Sequence, residues 1–322
     1  MKICEKSACS FPNWYPIFKS VTFPAEYISI PDEVLQYLKD DGVTIPREAL
    51  IEKVKSSYID DITYTDWDSE GEDDDEVTLP TFPVFSNQLR NIMKKFGGSV
   101  FVKLNWSAPT DAAWIATNNC LKCSNLQDIY LLLKSSDKIS QDLDAKYNKI
   151  PSKYFIVLKK WEDIHPGSEF RCFVSDKQLI AITQRDTAEF HRHIIQSKCD
   201  IINDINTLFY GKIKDRFVLS NYSFDVVWNP LSIKIVDFNV FISPEIDTYL
   251  FSSGELQEMQ YEEGISPEFR YIGEDVGIQP VNLGRHFGMP KEFSEISADK
   301  SRSLIELLQT QVQIQGNEED EL

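Results

Sequence analysis

Ser223-Phe-Asp-Val-Val-Trp228, Asn229-Pro-Leu-Ser232 and Ile233-Lys-Ile-Val-Asp-Phe-Asn-Val-Phe241 follow one another without a break, and their reading decides the fold. Two runs rich in β-branched and aromatic residues flank an Asn-Pro turn signal, which predicts strand, turn, strand. With the turn centred on Leu231, Asp225 stands directly across from Asp237. Period-2 alternation then puts Asp225, Val227, Ile235, Asp237 and Asn239 on one face, and Phe224, Val226, Trp228, Val236 and Phe238 on the other. Like charges directly opposite destabilise a sheet. At roughly 5 Å and an effective dielectric of about 20, the repulsion is on the order of 3 kcal/mol. A hard divalent cation relieves it and accepts carboxylate and amide oxygens as ligands. Magnesium takes few protein carboxylates and completes its shell with water and phosphate oxygens, so a nucleotide-bound magnesium held by Asp225, Asp237 and Asn239 is expected. A register one residue off would instead send the two acids to opposite faces.

With 322 residues, 42% of them hydrophobic, the chain can bury a large core as one domain or two lobes. Its apolar runs fall short of eighteen residues, so no membrane span is expected. Met1-Lys-Ile-Cys-Glu-Lys-Ser7 leads into no apolar stretch of the secretory kind. Glu319-Asp-Glu-Leu322 lacks the leading Lys or His of a retention tag. Six cysteines in so long a chain make no disulfide framework, which points to reduced thiols and a cytosolic or nuclear setting. The net charge of −18 is unevenly spread: residues 60–76 hold ten acids and no base, and Glu318–Glu321 adds four. Such runs self-repel, so 60–76 is expected as an acidic disordered loop and 313–322 as an acidic tail. The loop either solubilises or docks to a basic surface, a contact that Trp67 would favour. Without those fourteen acids the body carries only −4 and offers no basic face for direct nucleic-acid binding.

Neither an internal repeat nor a heptad seam is present. Residues 1–59 read as an N-terminal segment packed on the body: the aromatic run Phe11–Phe18, an extended stretch through Ile30, and a short helix capped by Asp32. Residues 77–161 carry an amphipathic helix over 87–96 stopped by Gly97-Gly98, a strand over 99–104, helices from Thr110 and over 125–135, and a strand over 154–158 running into Lys159-Lys-Trp161. Residues 162–312 carry strands over 167–174 and 179–185 about a turn at Asp176-Lys177, a long helix over 190–208, the acid-bearing pair, and a closing helix over 303–312. The class is α+β with largely antiparallel sheets, in two lobes over 77–161 and 162–312.

Lys103 ends an apolar strand, where an unpaired ammonium is costly, so it is expected to be paired or functional. The small, polar loop Asn105-Trp-Ser-Ala-Pro-Thr-Asp111 after it allows backbone amides to approach phosphate oxygens. A bland alternative is that the loop caps the next helix and Lys103 reaches solvent. Arg171 and Arg185 lie on adjacent strands, and guanidinium forks suit phosphate. A two-residue turn separates their faces and a three-residue turn aligns them, while Glu169 offers either Arg a structural ion pair. Cys120-Leu-Lys-Cys123 has no second pair at zinc spacing and reads as two half-buried helix cysteines. Cys4 and Cys9 lack ligand partners. His191 and His193 read as solvated residues at a helix start. No P-loop and no nucleophile-elbow motif occurs.

The order Lys103, Leu158-Lys-Lys-Trp161, Glu169-Phe-Arg171, Arg185, Asp225, Asp237-Phe-Asn239 resembles that of an ATP-grasp fold. Over nearly the whole length the chain is more specifically similar to the cell division cycle protein 123 family. The carrying segments are Trp14-Tyr-Pro, Gly97-Gly-Ser-Val-Phe, Lys103-Leu-Asn-Trp-Ser-Ala-Pro109, Asp111-Ala, Leu121-Lys-Cys, Lys134-Ser-Ser-Asp137, Pro166-Gly, Glu169-Phe-Arg-Cys-Phe-Val174, Gln184-Arg-Asp186 and Val236-Asp-Phe-Asn239. Val240 departs from the pattern, where proline is expected. The resemblance implies ATP and Mg2+ as cofactors held between two lobes. Lys103, Asn105, Trp106, Ser107, Ala108 and Asp111 would lie about the phosphates, and Leu158, Lys159, Lys160 and Trp161 about the adenine. Glu169, Arg171 and Arg185 would complete the phosphate side, and Asp225, Asp237 and Asn239 would ligate magnesium. It further implies a cytoplasmic monomer that assembles eukaryotic translation initiation factor 2 by binding its gamma subunit, and so serves translation initiation and cell-cycle progression. No catalytic residue is assigned. Two other classes stay open: an ATP-dependent carboxylate ligase working through an acyl phosphate, and a scaffold that binds no nucleotide.

Overall fold

The computed structural model describes residues 5–50, 79–116, 120–144, 153–243, 246–259, 264 and 266–274. Cys4, the acidic stretches at 60–76 and 313–322 and the closing helix expected over 303–312 lie outside the described residues. The first sheet has the order β1-β4-β2-β3, with β1 Ala25–Ser29, β2 Val100–Lys103, β3 Lys122–Cys123 and β4 Phe155–Lys160. The second has the order β8-β7-β5-β6-β9, with β5 Glu169–Ser175, β6 Gln178–Gln184, β7 Tyr222–Asn229, β8 Ser232–Val240 and β9 Glu268–Arg270. Every pairing within them is antiparallel except that of β9 with β6. This is the α+β class with largely antiparallel sheets expected from the order of segments.

Each sheet buries its apolar face under helices. Pro83 opens the Pro83–Lys95 helix, where its fixed φ costs nothing and its missing N–H is not needed. Leu89, Ile92 and Met93 of that helix, with Leu126, Ile129 and Leu133 of the Leu126–Lys134 helix, cover Val100, Val102, Ile156 and Leu158. The Asn125 side chain caps the second of these helices by accepting from the Asp128 N–H at 2.9 Å. In the second core, Ile201, Ile205 and Leu208 of the Lys198–Leu208 helix cover Phe224, Val226 and Phe238. The expected long helix over 190–208 is broken at Ser197 and continues as a π-helical turn over Phe209–Ile213.

The Phe11–Phe18 helix occupies the seam between the sheets. Trp14 meets Phe238 of β8 edge-on at 5.2 Å, and the Tyr15 hydroxyl donates to the Ala25 carbonyl of β1 at 3.0 Å. Thr22 donates to the Ile235 carbonyl at 2.7 Å, which fixes the β1 entry against β8.

Two bulges decide which side chains share a face. The β7–β8 turn has two residues, Pro230 and Leu231, so Asn229 pairs with Ser232 and Val226 with Ile235. That centre lies half a residue before the expected one and would misalign the acids. An extra residue, Val236, shifts the ladder, and Asp225 pairs with Asp237 as expected. The shift corrects the expected faces of the near half of β8: Ile235 joins Val226 in the core, not the acids. The β5–β6 turn also has two residues, Asp176 and Lys177, both in the left-handed region at φ 49° and 61°. Alone it would separate Arg171 from Arg185. Here too an extra residue, Ile180, shifts the register, so Arg171 pairs with Thr183 and the Arg185 N–H donates to the Glu169 carbonyl. Glu169, Arg171 and Arg185 therefore share one face.

Candidate functional site

β5 runs beside β7 with Arg171 directly across from Asp225, so the bulged hairpins bring their charged faces together. Arg171 grips Asp225 with two bonds, Nε to Oδ1 at 2.7 Å and Nη2 to Oδ2 at 2.8 Å. Arg185 Nη1 lies 3.9 Å from Asp225 Oδ2 and pairs with Glu169. From the first sheet Lys103 reaches across to ion-pair with Asp237. Lys159, on the neighbouring β4, donates to the Val236 carbonyl at 2.6 Å. Four cationic side chains thus converge on three carboxylates where the sheets face one another. Asn239, two residues beyond Asp237 on the same face, is half-buried opposite Ser223.

Burial sets the electrostatics. Lys103 is 1%, Lys159 5%, Arg171 5% and Asp225 3% exposed, so their fields are poorly screened. Burial alone would raise the Asp225 carboxyl, but the Arg171 and Arg185 guanidiniums hold it below its ordinary value. Burial pushes the Lys159 ammonium down to about 8; Asp237 opposes that fall and Lys103 deepens it. Lys159 is also cushioned by the faces of Phe11 and Trp14, at 5.3 and 5.9 Å. Charge repulsion between Asp225 and Asp237 no longer demands a divalent ion, because Arg171 neutralises one and Lys103 the other.

The remaining expected residues have other partners. Asn105 is buried: its amide donates to Ser10 Oγ at 3.1 Å and the Lys153 carbonyl at 3.0 Å, and its oxygen accepts from the Phe155 N–H at 2.7 Å. Trp106 Nε1 donates to the Lys6 carbonyl at 2.7 Å, and the Ser107 N–H donates to Asp142 at 2.8 Å. The Ala108 carbonyl accepts from Thr110, and Asp111 accepts from Ser136 at 2.6 Å. This loop is a knot that ties β2, β4 and the N-terminal helix together. Leu158 is buried in the first core, Lys160 is exposed, and the Trp161 indole donates to Asp163 at 2.8 Å. The N–H groups of Lys160 and Trp161 already donate to the Pro24 and Ser99 carbonyls. Two surface hollows, one of about 310 Å³ beside Tyr15 and Tyr27 and one of about 230 Å³ beside Glu162 and Lys234, are lined by none of the clustered charges.

Sequence reasoning missed Tyr249, whose hydroxyl accepts from Arg185 Nε at 3.0 Å and whose ring lies 5.1 Å from the Arg171 guanidinium. No local pattern around Asp247-Thr-Tyr249 announces it. It also misjudged the histidines and one cysteine pair. His191 is buried and faces Asp186 at 2.7 Å, and Cys123 lies on β3 in the first core, not on a helix.

Comparison with known proteins sets this geometry in a family. The family model described as D123 matches residues 14–297. The chain is 36% identical over 336 residues to the "Translation initiation factor eIF2 assembly protein" of Xenopus tropicalis, covering 97% of each. It is 32% identical over 356 residues to the protein of that name from Dictyostelium discoideum, covering 91% of this chain and 92% of the relative. Among solved structures, Cdc123 from Schizosaccharomyces pombe superposes with a TM-score of 0.67 at 30% identity, covering 84% of this chain and 98% of that one. Family model, full-length relatives and superposed fold agree, and the chain belongs to the D123 family.

Proposed function

We propose that the charged seam is an ATP–magnesium site and that the chain is an assembly factor for translation initiation factor eIF2. The observation that carries the first half is the convergence of Lys103, Lys159, Arg171 and Arg185 on Glu169, Asp225 and Asp237 between two sheets. The donor chemistry fits the ligand. Ammonium and guanidinium groups complement phosphate oxygens, and Asp225, Asp237 and Asn239 offer the hard oxygens that magnesium takes. Magnesium, when bound, would screen phosphate charge beside those acids. Each residue has a definable task. Lys103 and Lys159 carry positive charge from the first sheet. Arg171 and Arg185 carry it from the second, held in place by Asp225, Glu169 and Tyr249. Asp237, now paired with Lys103, would be one of the residues to hold the ion, and the Lys103 ammonium would then be available to an anion. The backbone around Leu158–Trp161, at the exit of the first sheet, would border the base.

The second half rests on full-length similarity to curated eIF2 assembly proteins. In this reading the partner is the gamma subunit, the chain acts as a cytoplasmic monomeric chaperone without a chemical step of its own, and its service to translation initiation supports cell division. Because the seam joins the two sheets, a nucleotide there changes their relative hold and thereby partner affinity; that coupling is reciprocal. The test is binding of the purified chain to the purified gamma subunit with and without ATP and Mg2+, for the parent and Asp237→Ala. Nucleotide-dependent binding that Asp237→Ala abolishes is expected. Binding indifferent to both, or no binding, would overturn the proposal. ADP release stimulated by an added amino acid or peptide would move it to the ligase class.

A further inference from the structure

We infer that His165, His191 and His193 form a zinc-class metal site that pins the connection between the two sheets. Three of the four histidines of the chain fall in this one cluster. His165 lies in the run from β4 to β5, which links the first sheet to the second; His191 and His193 lie where the Arg192–Gln196 helix begins. Ring centroids are 5.2, 5.4 and 5.7 Å apart. One nitrogen from each ring lies within 4.8 Å of one from each of the others. Zinc–nitrogen bonds of about 2.0–2.1 Å place tetrahedral ligands roughly 3.3 Å apart, so side-chain rotation suffices to close the site.

Three further features distinguish this cluster from chance packing. His191 Nε2 faces Asp186 Oδ2 at 2.7 Å, and His193 Nε2 faces the Gly167 carbonyl at 3.1 Å. A carboxylate or carbonyl behind one ring nitrogen is the support that metal-bound histidines keep, because it fixes the tautomer and leaves Nδ1 to the ion. Secondly, Gly167 keeps the space: a Cβ there would stand 2.5 Å from His191 Cγ and 2.8 Å from His193 Cε1. Thirdly, Asp186 and Glu189 each bring a ligand atom within 4.8 Å of one on His191, adding negative charge beside the site. His191 is buried while His165 is exposed, so the site has a fixed wall and an entry side. His165 Nδ1 now accepts from the Gly167 N–H at 3.1 Å, and joining the metal exchanges that single neutral bond. Three imidazoles with one open position suit zinc, and copper or nickel by the same chemistry. None of these residues belongs to the Lys103–Asp237 cluster, so the inference stands or falls apart from nucleotide binding.

The experiment uses the full, untagged, chelator-treated chain titrated with Zn2+ by calorimetry and with Co2+ by visible absorption. One Zn2+ per chain is expected. His165→Ala, at an exposed position, and Asp186→Asn should each weaken it roughly 10- to 100-fold while the melting profile shows a folded protein. Cys120→Ser/Cys123→Ser should leave the affinity unchanged. Absence of saturable Zn2+ binding, full affinity in His165→Ala, or a cobalt–thiolate charge-transfer band would overturn the assignment. If Asp186→Asn fails to fold, His165→Ala alone decides.

Discussion

Asp225→Asn is the sharpest perturbation of the seam. Both oxygens of Asp225 serve Arg171, at 2.7 and 2.8 Å, and Arg185 stands 3.9 Å away. The amide keeps the shape and loses the charge, which leaves a guanidinium only 5% exposed without its counter-ion. Removing one partner of a buried pair costs about 3–5 kcal/mol, a large share of a typical total of roughly 5–15 kcal/mol. At roughly 2–4 °C per kcal/mol for a domain of 150–250 residues, Tm should fall on the order of 10 °C. The double variant Asp225→Leu/Arg171→Met replaces the whole pair with apolar groups and should recover most of that loss. Acid dependence supplies a second readout. The Asp225 carboxyl is held below its ordinary value by the two guanidiniums, against burial. Its contribution is therefore complete above the unfolded value of about 4 and is lost as pH falls through the lower folded one. Asp225→Asn should lose stability less steeply below about pH 4 than the parent does. Urea denaturation followed by circular dichroism at neutral and acid pH measures both effects. A single variant within about 1 kcal/mol of the parent at neutral pH, or an unchanged acid limb, would refute the reasoning.

Further outcomes follow from neighbouring residues. Lys159, with its ammonium pushed down to about 8 by burial, releases its proton earlier folded than unfolded, so stability should rise from pH 8 towards 10. The rise is on the order of 3 kcal/mol, and Lys159→Met should lack it in the same denaturation series. Asn105→Ala strands Ser10 Oγ, the Lys153 carbonyl and the Phe155 N–H, and should cost about 2–3 kcal/mol by urea titration. Gly167→Ala forces a Cβ to 2.5 Å from His191 Cγ, so the imidazole resonances of His191 and His193 should shift in NMR spectra and stability should fall by about 1–3 kcal/mol.

What the sequence disclosed and what it hid have a common physical cause. Hydrophobic period identified the strands of both hairpins, and the expected Asp225–Asp237 pairing is met because the Val236 bulge offsets a turn centred half a residue early. The bulge at Ile180 was not legible and that at Val236 only faintly so, because a bulge changes register without changing composition. In Leu179-Ile-Ala-Ile182 every residue is apolar, so no alternation exists to break. In β8 the adjacent pair Ile235-Val236 does interrupt the alternation, and that was the available signal. The acids' partners were hidden for another reason: Lys103 and Asp237 are 134 residues apart, and only the packing of one sheet on the other joins them. Asn105–Asp111 misled because small polar residues serve equally well to approach phosphate and to knot a loop. His165 was invisible as a partner of His191 for want of any local pattern linking them.

Isothermal titration calorimetry of the full chain with ATP and Mg2+ tests the central claim most directly. One ATP per chain, bound only with magnesium present and lost in Asp237→Ala, is the predicted result. No saturable heat, or undiminished affinity in Asp237→Ala, would contradict the assignment of the seam between the two sheets.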